Sequence, residues 1–374
     1  MHRVLPAARL PVIPIGTGVS MYILTNTRLD RRAAWPGGVA GKGASRNDAH
    51  PPRQRKVAVI ASAALIRHSV TMNVLILAAS GASVSHTDSP SHASVRFLTA
   101  DSLDLWPCFS PDGNHILFSR RVEQTWQLLL IPTESGQPQP LARAPLPIAA
   151  TRANWSKQNN VIAFTGTSAH GQNSIWLINS DGSNPRELKL LVSSDQMFYP
   201  SWFPSGEQLA AMDAQDMVII RVNVNTGGAV TVTDQKQVFT GMPSVSPDGK
   251  WIAFAGQKNT GQKYDQTKNS IWLVDDSGIA RTVESTPGQG RAPTWSPDGK
   301  ILAFESTRAS LIGQYAIFLI NRDGTGLIQV TDPALNADHP VWSPDGRRLA
   351  FSARASLWAK GRSIAVIDVP NQSK

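Results

Sequence analysis

The chain has 374 residues, one cysteine and a formal net charge of +9. The excess sits at the start: residues 1–91 carry 11 Lys/Arg against 3 Asp/Glu, and residues 92–374 carry 25 against 24. A nearly neutral main body lacks the electrostatic footprint of a nucleic-acid binder, and the lone Cys108 rules out an internal disulfide framework.

Residues 1–54 are rich in Gly, Ala, Arg and Pro without a sustained period, and are expected to form a disordered basic extension. Residues 55–91 read as an export signal followed by a linker. Arg53, Arg55 and Lys56 precede an apolar run at 57–66, Arg67 and His68 interrupt, a second apolar run covers 70–79, and small residues follow at Ser80, Gly81 and Ala82. The interruption argues against a stable membrane span. A periplasmic or secreted location is expected, or a cytoplasmic one if the segment is not a signal.

From residue 92 one motif governs the chain. PTWSPDGKILAF (293–304) has counterparts starting at Trp106, Ala153, Pro200, Pro243 and Pro340. The proline slots fall at Pro111, Lys157, Pro204, Pro247, Pro297 and Pro344, steps of 46, 47, 43, 50 and 47 residues. Ser-Pro-Asp-Gly is a tight turn: proline presets φ, aspartate bonds nearby backbone, and glycine takes the left-handed conformation. In the fifth repeat, strands are predicted at 293–296, 301–304, 316–320 and 328–331. Four strands per repeat and a period in this range predict a six-bladed β-propeller. The sixth repeat stops after its third strand, at 363–369. Residues 95–99, VRFLT, resemble the outer strands AVTVT (229–233) and IQVT (328–331). They are expected to complete the last blade and close the ring, removing an exposed sheet edge.

Each predicted inner strand carries a large residue beside the turn: Phe109, Trp155, Trp202, Trp295 and Trp342, with Val245 the exception. Equivalent positions in neighbouring sheets must pack face to face, so these are assigned to the core, as is Cys108. The second repeat has lost the turn motif and places Asn159 in the glycine slot, where asparagine tolerates positive φ. The polar loop 256–270 is the longest between second and third strands, a usual place for recognition.

The pattern P-x-W-S-P-D-G-K-x-[IL]-A-F at 293–304, with I-W-L-x-N-x-D-G at 175–182, resembles the propeller of the TolB and TolB-like, WD40-like repeat proteins over residues 95–374. That resemblance implies a six-bladed propeller and, from TolB, a periplasmic protein that binds protein partners. TolB has an additional N-terminal α/β domain, and residues 1–91 show no alternation of strands and helices. The same propeller also serves as the gating domain of prolyl-oligopeptidase-like enzymes and as a lyase scaffold acting on oligogalacturonate.

Catalytic signatures are missing. G-x-S-x-G is absent, and Gly166-Thr167-Ser168-Ala169-His170 breaks at its last position. The turns at 179–182 and 321–324 are faintly like a calcium loop but lack its first ligand and distant glutamate. After residue 92 the histidines are His115, His170 and His339, and only His339 is assigned to the pore, so no metal site or cofactor is expected. The residue just before each inner strand should face the central channel: Trp106, Arg152, Tyr199, Met242, Ala292 and His339. One position earlier lie Arg291 and Asp338. Trp106, Arg152, Tyr199, Arg291, Asp338 and His339 are therefore the candidate partner-binding residues, because they break six-fold symmetry while the turns repeat. Arg152 and Arg291 together are expected to be needed for binding and dispensable for stability. The reading is a non-catalytic, exported propeller binding a protein or peptide. The alternatives are a polysaccharide lyase or hydrolase using the same funnel, and a scaffold element with no small ligand.

Overall fold

The computed structural model describes residues 94–370, apart from 101, 143–145, 147, 193, 284–288, 311 and 356–358. The expected basic extension and export signal lie outside the described residues. What is described is all-β: six four-stranded antiparallel sheets, each one blade. The inner strands are Asp104–Phe109, Ala149–Trp155, Met197–Trp202, Val238–Val245, Arg291–Trp295 and Asp338–Trp342. In blade 5 the second, third and outer strands are Ile301–Ser306, Ala316–Asn321 and Ile328–Gln329.

The repeated turn is a closed hydrogen-bond knot. In blade 5 the Ser296 hydroxyl donates to Asp298 at 2.6 Å and accepts the N–H of Ile301 at 2.9 Å, while the Lys300 N–H donates to the same carboxylate at 3.1 Å. Ser110, Ser246 and Ser343 do the same with Asp112, Asp248 and Asp345. The glycine that follows is needed twice over. Gly249 has φ +71°, and a Cβ there would sit 3.1 Å from Pro204 in the preceding turn. Blade 2 keeps its hairpin, with Trp155 paired to Ile162, but its left-handed residue is Asn160 (φ 52°), one place beyond the expected Asn159. Without proline and glycine to fix it, the turn relaxes by one residue. Asn159 instead donates from its side chain to the Gly206 carbonyl of the next turn at 2.9 Å.

Second strands are buried on both faces because blades flank them on either side. Phe118, Phe164, Phe254, Phe304 and Phe351 occupy one repeat position with no exposed surface, and Ala163, Ala210, Ala253, Ala303 and Ala350 fill the position before it. Each such phenylalanine contributes roughly 1.5–3 kcal/mol of burial. The turn-side aromatics Phe109, Trp202, Trp295 and Trp342 are buried as expected, and Trp155 is half-buried. Trp202 and Trp295 also donate their indole N–H to the preceding blade, to the carbonyls of Asn154 (3.1 Å) and Ser244 (3.0 Å).

Blade 6 takes its outer strand from the beginning of the domain. Arg96–Phe97 pairs antiparallel with Ser363–Asp368, Arg96 opposite Val366 and Phe97 opposite Ala365. The next residues behave like an outer-strand end. The Ile364 N–H donates to the Thr99 hydroxyl at 2.9 Å, as Ile219 does to Thr233 (2.9 Å) and Ile317 to Thr331 (2.8 Å). Phe109, Ile116 and Phe118 of blade 1 then pack against Ala350, Ile364 and Val366 of blade 6.

Candidate functional site at the channel mouth

Every inner strand slips once, at the same place. In blade 1 Leu105 pairs with Ser119 and Cys108 with Leu117, so Trp106 and Pro107 together face one residue of the partner strand. The same two-for-one bulge falls between Thr151 and Asn154, Phe198 and Ser201, Gly241 and Ser244, Arg291 and Thr294, and Asp338 and Val341. The first bulged residue is left-handed in all six blades: Trp106 (φ 55°), Arg152 (53°), Tyr199 (55°), Met242 (55°), Ala292 (46°) and His339 (50°). For residues other than glycine this costs roughly 1–2 kcal/mol each. In five blades the next residue is proline (Pro107, Pro200, Pro243, Pro293, Pro340). Proline has no N–H, so the break in the ladder leaves no donor stranded there.

A bulge re-aims the side chain it carries, and these six residues line one cavity of about 120 Å³ on the channel axis. They lie within the inner strands rather than just before them, because pairing resumes on the far side of the bulge. Of the candidate residues, Trp106, Arg152, Tyr199 and His339 line the cavity. Arg291 and Asp338, one position earlier, are engaged in ion pairs on the blade 5 and 6 side.

The left-handed N–H groups reach back to the preceding blade. Trp106 donates to the Ser352 hydroxyl (3.2 Å), Tyr199 to the Thr165 hydroxyl (3.2 Å) and His339 to Glu305 Oε2 (2.7 Å). The acceptors occupy one repeat position, held in the other blades by Ser119, Met212 and Ala255. A hydroxyl suffices for this bond, so the fully buried carboxylate of Glu305 has other work. Its Oε1 lies 3.2 Å from Arg291 Nε, and Arg291 also donates to the Tyr315 hydroxyl at 2.8 Å. Asp338 Oδ2 is 2.7 Å from Arg362 Nη2, which donates in addition to the carbonyls of Asn336 and Ser352. His339 sits between the acids: its Nδ1 is 3.3 Å from Asp338 and 3.6 Å from Glu305. Its Nε2 accepts the Trp106 indole N–H at 3.2 Å, which places the proton of a neutral ring on Nδ1.

The electrostatics follow the pairing. Burial alone would push the Arg291 guanidinium down, but Glu305 and then Tyr315 carry it above its ordinary value. Burial would raise Asp338, yet Arg362, followed by His339, holds its carboxyl below the usual range. Burial pushes the Tyr315 phenol up. Glu305, Asp338 and His339 are also spaced closely enough to hold a metal ion, a grouping the sequence did not expose. Arg291 and Arg362 already balance the two carboxylates, so the trio is better described as an ion-pair network.

The opposite side of the mouth is aromatic. The Arg152 guanidinium lies 4.4 Å from the Trp106 ring, 4.7 Å from Tyr199 and 5.6 Å from Phe198, and Trp126 backs Trp106 at 5.0 Å. From the long loop 256–270, Tyr264 packs on Phe239 and accepts from Asn269 at 2.9 Å. Burial raises its phenol, which also feels Arg291 and Tyr199. Sequence reasoning missed Glu305, Tyr315, Arg362 and Trp126. Cys108 is buried and its thiol is pushed up to about 11, which keeps it protonated and unreactive.

No family model matches the chain. An uncharacterized protein of Agrobacterium fabrum is 27% identical over 211 residues, 55% of this chain and 66% of that protein. Among solved structures, the fold is similar to a candidate TolB from Agrobacterium tumefaciens, with TM-score 0.55 and 20% identity, covering 72% of this chain and 92% of that one. It is similar to TolB from Acinetobacter baumannii, with TM-score 0.53 and 17% identity over 70% of this chain and 65% of that one. It is also similar to oligogalacturonate lyase from Vibrio parahaemolyticus, with TM-score 0.50 and 13% identity over 77% and 96%. The chain thus spans just under two thirds of the Agrobacterium fabrum protein and of the Acinetobacter TolB. The fold is that of a TolB-like six-bladed propeller.

Proposed function

We propose that this protein is a non-catalytic, exported propeller that binds a protein or peptide partner in the cell envelope through the channel mouth. One observation carries the reading: six non-glycine residues are held left-handed at the mouth, with a different side chain in each blade. Backbone strain repeated at one surface and decorated asymmetrically is expected where recognition needs those side chains. Arginine and tyrosine, the types that most often dominate recognition hot spots, are both among them. The likeness to TolB structures supports an envelope setting. Among the described residues no helix is long and apolar enough to cross a membrane.

The test is capture of partners from envelope extracts on the full chain. The Arg152→Ala/Tyr199→Ala variant should lose the captured protein while melting cooperatively. Arg347→Ala, in the turn of blade 6, should keep it. The reverse pattern would move the recognition face to the turn end of the propeller.

The rival reading, a polysaccharide lyase or hydrolase, draws on the acid–histidine–arginine network beside the funnel and on the likeness to oligogalacturonate lyase. Incubation with oligogalacturonate separates the two. Formation of unsaturated product, abolished by His339→Ala, would replace the binding reading with an enzymatic one.

A further inference from the structure

We propose that Arg152 is a carboxylate-recognition subsite, so that the mouth takes its ligand by a carboxylate laid against this guanidinium between Trp106 and Tyr199. The inference rests on the peptide-binding reading of the mouth and narrows it to one chemistry.

Charge balance comes first. Arg291 is paired with Glu305 and Arg362 with Asp338, so the cations and anions on the blade 5 and 6 side cancel. Among the described residues Arg152 has no ion-pair partner, and it lines the cavity. The mouth therefore carries one uncompensated positive charge, lining the pocket at its opening. Such a charge favours an anionic group and disfavours a cationic one.

Geometry points the same way. Trp106 and Tyr199 fix the guanidinium at 4.4 and 4.7 Å. Nη1 donates to the Thr151 hydroxyl at 3.1 Å. Nε is enclosed and has no hydrogen-bond partner. With Nε enclosed and Nη1 engaged by Thr151, Nη2 is the guanidinium nitrogen left to meet a carboxylate by a charge-assisted hydrogen bond. A cavity of about 120 Å³ admits one such group rather than a folded surface. A peptide chain terminus and an Asp or Glu side chain share this chemistry.

The experiment uses the full chain and three sets of short random peptides: free C-terminus without internal acids, amidated with Asp or Glu, and amidated without acids. The wild type should retain one or both carboxylate-bearing sets about tenfold better than the third, the ratio expected for one charge-assisted hydrogen-bonded contact. The set that wins identifies the source. Arg152→Gln should erase the preference, and Arg152→Lys, which keeps the charge but not the planar guanidinium, should restore part of it. Should Arg152→Gln fail to fold, competition on the wild type decides. N-acetylglycine in excess should displace bound peptide and its amide should not. Equal retention of the acid-free amidated set would overturn the carboxylate proposal while leaving peptide binding intact. Retention of no set would remove the peptide-binding reading itself, and this proposal with it.

Discussion

On the blade 5 and 6 side of the mouth, Arg291 and Arg362 lie 3.2 and 2.7 Å from the carboxylates of Glu305 and Asp338. On the blade 1 to 3 side, Arg152 lies against three aromatic rings and meets no carboxylate among the described residues. The same residue type thus has two different jobs at one channel mouth. A guanidinium next to a buried acid is part of the framework, because removing it strands the acid. A guanidinium held by ring faces keeps its charge available. The sequence-based expectation treats Arg152 and Arg291 alike as dispensable for stability; the pairing with Glu305 instead predicts a large loss for Arg291 and a small one for Arg152.

Truncation is the harshest way to break the contrast. Removing residues 1–99 strips blade 6, which carries Asp338 and His339 on its inner strand, of its outer strand and of the Thr99 hydroxyl, while blades 1 to 3 keep their sheets. Loss of the packed Val95, Phe97 and Leu98 should cost on the order of 5 kcal/mol. A chain starting at residue 92 should melt like the full chain. Identical melting of the chains starting at 92 and at 100 would show that ring closure does not hold blade 6 together.

Arg291→Ala comes next, at about 3–5 kcal/mol in urea titration, the usual loss when one partner of a buried pair is removed. The double variant Arg291→Ala/Glu305→Ala should recover much of it, since no charge is then stranded. Failure to recover would mean that Arg291 stabilises by packing rather than by pairing.

Acid separates the halves more gently. Asp338 is held below the ordinary carboxylate range in the fold. A depressed carboxyl contributes stability that is present above its unfolded value, about 3.9, and is lost as pH falls through the folded one. Asp338→Asn should therefore flatten the decline in stability below about pH 4, whereas Arg152→Gln should leave that slope unchanged. If both variants follow the wild-type curve, Asp338 is not coupled to folding.

The smallest effect is that of Arg152→Ala on stability, about 0.5–2 kcal/mol, the range for a guanidinium over aromatic faces. A loss as large as that of Arg291→Ala would erase the distinction between the two halves.

Much of this was legible in the repeat, and the limits have physical causes. The turn chemistry and its spacing set six blades, and VRFLT could be matched to IQVT because an outer strand ends on a threonine whose hydroxyl accepts a backbone N–H. The mouth residues were legible by counting back from the turns. Their bulge was not: a strand that continues past a two-for-one slip shows no sign of it in alternation alone, and the run of prolines after the left-handed residues was its one trace. Glu305 could have been found. Aligned on the turn prolines, its position reads Ser119, Thr165, Met212, Ala255, Glu305, Ser352, and one carboxylate among small or apolar residues is a signal. Arg362 and Tyr315 gave no such signal, since they come from segments whose length varies between blades.

The left-handed backbone also restricts what evolution or a designer can write at the mouth. At φ near +50° a β-branched side chain is a genuine outlier, so Val, Ile and Thr are close to forbidden letters in six positions that otherwise tolerate anything from alanine to tryptophan. Glycine is the opposite temptation. It would relieve the backbone strain at each position and delete the side chain that reaches the channel. Selection for thermal robustness alone should thus drift these six positions toward glycine and silence the mouth, so a library meant to retarget this propeller should exclude both glycine and the β-branched residues there.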